Sequence, residues 1–138
     1  MNGGLTWLHL PAALSSLEQF TTFLHEGARQ AQLADPLLHK LDLVLEELLV
    51  NICRYAYPAG ELGEVAVGYA VASPKRLRVD VCDSGQPFNP LESPDPDLTL
   101  SLQERPIGGL GVHLVKQIAN SVSYKRENGK NIVSFQMQ

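Results

Sequence analysis

The chain has 138 residues, 44% hydrophobic and 19% charged, with a formal net charge of -4. That length suits one domain with its own core, the composition excludes whole-chain disorder, and the acidic balance argues against broad attraction to nucleic acid. Cys53 and Cys82 have no CxxC spacing. A disulfide framework or a cysteine zinc site is therefore not expected, and buried free thiols in a reducing compartment are. The opening MNGGLTWLHLP has neither the basic region nor the long apolar run of a signal peptide, and no stretch approaches the roughly 18 apolar residues of a membrane span. A cytoplasmic chain with no membrane partner is expected.

Leu5–Leu10 reads as a short strand stopped by Pro11, with Leu5, Trp7 and His9 on one face. Ser15 and Ser16 are placed to cap a helix running to about Ala34. In it Leu17, Phe20, Phe23, Leu24, Ala28 and Ala31 recur at helical spacing. Trp7 and Phe20 are assigned to the core. Asp35-Pro36 opens a second helix, with Asp as N-cap and Pro at the first helical position, running to about Tyr55. This helix is apolar over most of its circumference, which places it centrally, and Pro58 and Gly60 close it. Val65, Val67, Tyr69 and Val71 alternate, as do Leu77, Val79 and Val81, giving two strands turned at Ser73-Pro74-Lys75. From Gln86 to Pro106 the chain carries Pro87, Pro90, Pro94, Pro96 and Pro106 and few long apolar runs. A loop of about 20 residues inside a compact domain is usually functional, for example a lid. Gly108–Gly111 opens a helix from Val112 to about Asn120, and the strands Val122–Arg126 and Ile132–Met137 turn at Asn128-Gly129. Lys125, Arg126 and Lys130, interrupted by Glu127, read as a solvated hairpin surface. The order β-α-α-β-β-lid-α-β-β predicts a single α/β domain of the α+β kind: a two-layer sandwich with a mixed, mostly antiparallel sheet and helices on one face.

Three pieces carry chemistry. Glu47 and Asn51 are four residues apart on the second helix and share a face, and Arg54 follows on nearly the same face. An acid, an amide and a guanidinium on an apolar helix need polar partners. A hydrated Mg²⁺ with phosphates supplies them, the amide oxygen ligating the ion and the carboxylate orienting or deprotonating a nucleophile. A solvated stripe or a surface Glu–Arg pair meets the same need. Asp83-Ser84-Gly85 follows a strand. It reads as an ordinary turn, or as a carboxylate that accepts an exocyclic amine such as adenine N6, beside a glycine that lets a flat base approach. Gly108-Gly109-Leu110-Gly111 precedes a helix, where free N–H groups suit phosphate oxygens, although a flexible loop-to-helix join has the same composition. It lacks the Lys-Ser/Thr of a Walker A loop and the strand context of a Rossmann fingerprint. Arg105 is a cation within reach of phosphates or a solvated charge. His9, His25, His39 and His113 show no metal-ligand spacing and read as surface or packing residues.

E-x-x-x-N on a helix, D-x-G after a strand and G-G-x-G before a helix, with a lid between the last two, resemble the Bergerat-fold ATPases of the GHKL superfamily: gyrase, MutL and histidine kinases. The stretches LDLVLEELLVNICRYAYP (Leu41–Pro58), VDVCDSGQPFNP (Val79–Pro90) and GGLGVHLV (Gly108–Val115) carry the resemblance. The single-domain size is most similar to the bacterial anti-sigma-factor serine/threonine kinases. The resemblance implies one ATP-binding domain over 1–138 with a lid at about 86–107. Asn51 would ligate Mg²⁺ and Glu47 would be the general base. Asp83 would bind the adenine amine, with Gly85 beside the base. Gly108, Gly109, Leu110 and Gly111 would cradle phosphates, with Arg54 and Arg105 as further contacts. In the last strand the family usually has Thr after a Gly, where Gly129-Lys130 here leads to Asn131, so an altered contact near the base is expected. The implied function is a cytoplasmic protein serine/threonine kinase, partnered by a sigma factor and an anti-sigma antagonist of the STAS type, with a homodimer allowed. The alternative is an ATP-binding module that sequesters its partner without phosphotransfer.

Overall fold

The structure, a computed structural model, describes residues 4–57, 62–92, 115–117 and 119–138. Five strands, β1 (Thr6–Pro11), β2 (Glu64–Ser73), β3 (Arg76–Asp83), β4 (Ser121–Glu127) and β5 (Lys130–Met137), form one sheet in the order β1-β2-β3-β5-β4. Helices α1 (Leu17–Gln30) and α2 (Asp35–Asn51) cover one face. The two-layer α+β architecture matches the sequence reading. The described pairings are all antiparallel, because β2–β3 and β4–β5 are hairpins and β5 runs back beside β3.

Alternation decides the faces of the sheet. Val65, Val67 and Tyr69 on β2, Leu77, Val79 and Val81 on β3, and Val133, Phe135 and Met137 on β5 are all buried toward the helices. Phe20, Leu24 and Ala28 of α1 and Leu41, Val44, Leu45, Leu48 and Leu49 of α2 meet them. Each fully buried Leu or Phe contributes about 1.5–3 kcal/mol relative to exposure, which makes this single layer the main source of stability. On β1 the core side is carried by Leu8 and Leu10. Trp7 lies over Gly68 on the helix-free face, so its assignment to the core is corrected: it has the opposite parity from Leu8 and Leu10. Phe20 is fully buried as expected.

The local signals differ in detail at the helix starts and ends. Ser16 does not cap α1; its hydroxyl donates to the Pro11 carbonyl oxygen at 2.8 Å, tying the helix entry to the end of β1. The regular helix stops at Gln30 rather than Ala34, because Gln32 turns left-handed at φ 60° and the Ala31 carbonyl accepts the Lys75 N–H at 2.7 Å. That bond pins the β2–β3 turn to the end of α1. In α2 the N-cap is Ala34; Asp35 is the first helical residue, where its charge favours the positive end of the helix dipole. After Asn51 the chain widens into a π-helical turn, Ile52–Ala56, in place of a continued α-helix. The Asn128-Gly129 turn has positive φ at both residues, 53° and 76°, as a two-residue hairpin of this handedness requires. Val115 packs into the core from the short helical segment 115–117. Cys82 is buried and Cys53 half-buried, both as free thiols, and burial pushes the Cys82 thiol up to about 11. No described helix is long and apolar enough to cross a membrane.

The faces of α2 make a direct test. Leu45 is 1% exposed and Leu43 49% exposed. Leu45→Ala is expected to cost about 2–5 kcal/mol of unfolding free energy in urea titration, and Leu43→Ala no more than about 0.5 kcal/mol.

Candidate functional site

The alternation that buries the β3 apolar residues continues to Asp83. Leu77, Val79, Val81 and Asp83 share one parity, so the carboxylate points under the helices and is 5% exposed. Asn131 stands directly opposite it on β5, on the parity of Val133 and Phe135, and is 2% exposed. Asp83 and Asn131 thus close the site end of the core, and α2 brings Asn51, 3% exposed, over the same small cavity, which Ile52, Phe88 and Pro90 also line.

A buried carboxylate needs hydrogen bonds. Asp83 Oδ1 accepts the Gly85 N–H at 2.9 Å and the Asn131 Nδ2–H at 2.9 Å. Burial raises the Asp83 pKa, while the Asn131 and Gly85 hydrogen bonds and the Arg126 charge oppose that rise. The loop that follows is fixed from several sides. Tyr57 Oη accepts the Ser84 N–H at 2.8 Å and donates to the Glu64 carbonyl oxygen at 2.8 Å. Arg126 Nη1 donates to the Gly85 carbonyl oxygen at 2.8 Å. At the π-turn, the Ala56 carbonyl accepts the Gln86 N–H at 2.8 Å and the Tyr55 carbonyl accepts Gln86 Nε2–H at 2.6 Å. Gly85 presses so closely on this turn that a Cβ would stand 2.2 Å from the Ala56 carbonyl oxygen. Its lack of a side chain is thus required by the helix end, independently of any ligand.

On α2, Asn51 Nδ2 donates to Glu47 Oε1 at 3.3 Å. Because an ionised carboxylate only accepts, this bond sets the amide orientation and leaves Asn51 Oδ1, a hard oxygen donor suited to Mg²⁺, free of described hydrogen bonds. Burial raises the Glu47 pKa, against the Asn51 hydrogen bond and the Arg54 charge. Arg54 itself is exposed on the π-turn. The structure therefore brings Asn51, Asp83 and Asn131 together, joins Glu47 to Asn51, and sets Gly85 against the helix end with Arg54 outside. Arg105, Gly108, Gly109, Leu110 and Gly111 lie outside the described residues, as does the expected lid beyond Glu92.

Sequence reasoning missed Tyr57, Gln86, Tyr124 and Arg126, which hold the Asp83 loop. Only the parity of Tyr124 and Arg126 with Val122 could have signalled that these two lie on the helix side of the sheet. Lys125, Arg126 and Lys130 are exposed, as the solvated hairpin reading expects; Arg126 in addition reaches the Gly85 carbonyl oxygen, and Lys125 pairs with Glu127 at 3.2 Å. His9 pairs with Glu64 at 3.1 Å and His25 with Asp42 at 2.6 Å, the latter joining α1 to α2. Among the described residues no three His, Cys, Asp or Glu side chains cluster as metal ligands. A wider hollow of about 480 Å³ on the helix-free face is bordered by Trp7, Asp80 and Lys125, and Glu47, Asn51, Asp83 and Asn131 do not line it. The Asp80 there is buried and held by Arg78 at 3.1 Å and 3.2 Å.

A two-layer sandwich with an acid–amide pair on its central helix and a buried aspartate at the end of the neighbouring strand has the form of a GHKL-type ATPase domain. The description "histidine kinase-like ATPase domain" matches residues 10–137, and the chain belongs to that family, with ATP as its implied nucleotide. The chain is 28% identical over 92 residues to the serine/threonine-protein kinase BtrW of Bordetella bronchiseptica, covering 66% of this chain and 63% of that one. It is 27% identical over 131 residues to the serine-protein kinase RsbW of Listeria monocytogenes, covering 91% and 82%. Its fold is that of the crystal structure of the RsbU and RsbW domains of a Mycobacterium tuberculosis protein, with a TM-score of 0.64, 14% identity, and coverage of 96% of this chain and 32% of that one. The histidine kinase domain of a blue-light activated histidine kinase from Erythrobacter litoralis gives a TM-score of 0.52 at 22% identity, over 73% of this chain and 44% of that one.

The Glu47 environment yields a stability prediction. The folded state holds the Glu47 proton to a higher pH than the unfolded chain does, so ionisation costs stability as pH rises through the shifted value. Glu47→Gln removes that cost. Its urea midpoint at pH 7 is expected to equal or exceed that of the unsubstituted chain, with the difference vanishing below about pH 4, where both side chains are neutral in both states.

Proposed function

We propose that the chain is an anti-sigma regulatory factor that transfers the γ-phosphoryl group of ATP to a serine or threonine hydroxyl of a STAS-type antagonist, in a partner-switching pathway that also includes a sigma factor. The observation that carries this reading is the Glu47–Asn51 pair, an acid with a raised pKa one helical turn from an amide whose oxygen has no hydrogen bond among the described residues. The kinase names of the Bordetella and Listeria relatives support it. In this reading, residues 86–107 form the lid and 108–111 hold phosphates, with Arg54 and Arg105 near them.

The chemistry divides among the residues as follows. Asp83 takes the exocyclic amine of adenine and fixes the base end of the nucleotide. Asn51 Oδ1 would hold Mg²⁺, which when bound supplies neutralisation of phosphate charge. Glu47 receives the proton of the attacking hydroxyl as its oxygen forms a bond to the γ-phosphorus and the bond to the β–γ bridging oxygen breaks, leaving ADP. Phosphoryl transfer of this kind rests on positioning and electrostatics. A carboxylate with a pKa above the ordinary range is a better base near neutral pH than an unshifted one.

The test is transfer of label from γ-labelled ATP, with Mg²⁺, to the antagonist. The unsubstituted chain is expected to label a serine or threonine. Glu47→Ala is expected to slow transfer about 100-fold or more while ADP affinity stays within about threefold. Absence of transfer by the unsubstituted chain, or full transfer by Glu47→Ala, contradicts the proposal.

A further inference from the structure

A side-chain carboxamide has two donor hydrogens and two acceptor lone pairs. In Asn131 all four are engaged by the protein. Nδ2 donates to Asp83 Oδ1 at 2.9 Å and to the Gln86 carbonyl oxygen at 2.8 Å; Oδ1 accepts the Phe88 N–H at 3.1 Å and the Tyr124 hydroxyl at 2.6 Å. With 2% exposure and no hydrogen-bonding capacity left over, this side chain has nothing to offer a nucleotide directly. What it does is join three elements, β3 through Asp83, β4 through Tyr124 and the post-β3 loop through Gln86 and Phe88, around the group that meets the base.

The consequence falls on Asp83. Both described hydrogen bonds to its carboxylate, from Gly85 and Asn131, end on Oδ1. Oδ2 is then the oxygen left to a ligand. An ionised carboxylate offers only acceptors, so it matches an exocyclic amine and opposes a carbonyl oxygen at the same place. The remaining backbone of the pocket wall, from Gln86 to Phe88, is fixed by the same amide.

Resting on the ATP-binding reading of the site, we infer that Asn131 is a positioning residue for base selection: it holds Asp83 with Oδ2 toward the pocket and fixes the Gln86–Phe88 wall, so that a purine with an exocyclic amine is taken in preference to one with a carbonyl there. Asn131 acts through Asp83 and the wall, without touching the base. This is also the physical meaning of Asn at a position where the family resemblance implies Thr: a hydroxyl has one hydrogen to donate and cannot bridge Asp83 and Gln86 together.

The test is calorimetric titration of ADP and GDP, each with Mg²⁺, into the full chain, Asn131→Ala, Asn131→Asp and Asp83→Ala. Asn131→Ala is expected to weaken ADP binding about tenfold or more, the scale of one lost hydrogen bond to a charged group, and to narrow the preference for ADP over GDP by a similar factor. Asn131→Asp keeps the shape and reads the mechanism through pH. Two carboxylates at this separation share a proton as pH falls, and the shared proton restores a donor toward Asp83. ADP affinity of Asn131→Asp is therefore expected to rise between pH 8 and pH 6, whereas that of the unsubstituted chain stays level or falls, since burial shifts Asp83 upward and its protonation would remove an acceptor. The other ionisable groups facing Asp83 are Arg126 from β4 and Tyr57 from beyond α2, and Tyr124 from β4 meets Asn131 itself. Folded Asn131 variants with ADP affinity and ADP-over-GDP preference within twofold of the unsubstituted chain overturn the inference, as does a pH-independent Asn131→Asp. If Asp83→Ala abolishes ADP binding in the same series, the nucleotide reading survives that failure; if the unsubstituted chain binds neither nucleotide, both fall.

Discussion

The burial of one carboxylate, Asp83, organises the functional end of this molecule. Strand alternation gives it no choice of face: the pattern that places Leu77, Val79 and Val81 in the core also sends Asp83 inward. An ion pushed out of water at this depth needs partners, and much of the surrounding architecture supplies them. Gly85 turns its N–H back, Asn131 is placed across the ladder on β5, and the Arg126 charge stands close by. A structural explanation alone would favour an apolar residue here, since a buried polar group that is merely satisfied contributes little net stability. Both described hydrogen bonds end on Oδ1, which leaves Oδ2 suited to a ligand that supplies a donor, as proposed above.

The π-helical turn after α2 is the second device. A regular helix through Ala56 would keep its carbonyls in the i to i+4 ladder, whereas the turn Ile52–Ala56 presents the Tyr55 and Ala56 carbonyls to Gln86. The helix bearing Glu47 and Asn51 is thereby bonded directly to the loop that follows Asp83. Asp83 and the Glu47–Asn51 pair thus belong to one connection, with Gly85 fitted into it where no Cβ can enter. Single π-turns within helices recur at functional sites for this kind of reason.

Much of this was legible in the sequence because it is local or periodic. Alternation on β2, β3 and β5, the spacing of Glu47 and Asn51, and the Asn128-Gly129 turn are all set by residues within a few positions of one another. What was not legible depends on which distant group a side chain meets. Ser16 has the chemistry of a helix cap but found the Pro11 carbonyl; Arg126 looks like a surface charge but reaches Gly85 across the sheet. Trp7 looks like core by composition and lies on the open face by parity. The saturation of Asn131 needs four partners from three separate segments, and no sequence spacing records it. The sequence did show that Asn stands where Thr is usual, but not that this amide is consumed internally.

In the proposed function, Asp83 and Asn51 serve one nucleotide. That shared role is tested most directly by calorimetric titration of ATP with Mg²⁺ into the unsubstituted chain, Asp83→Ala and Asn51→Ala. One nucleotide per chain is expected, with binding lost in Asp83→Ala and with Asn51→Ala losing the gain in affinity that Mg²⁺ provides. Absence of binding heat with the unsubstituted chain, or undiminished ATP affinity in a folded Asp83→Ala, would contradict it.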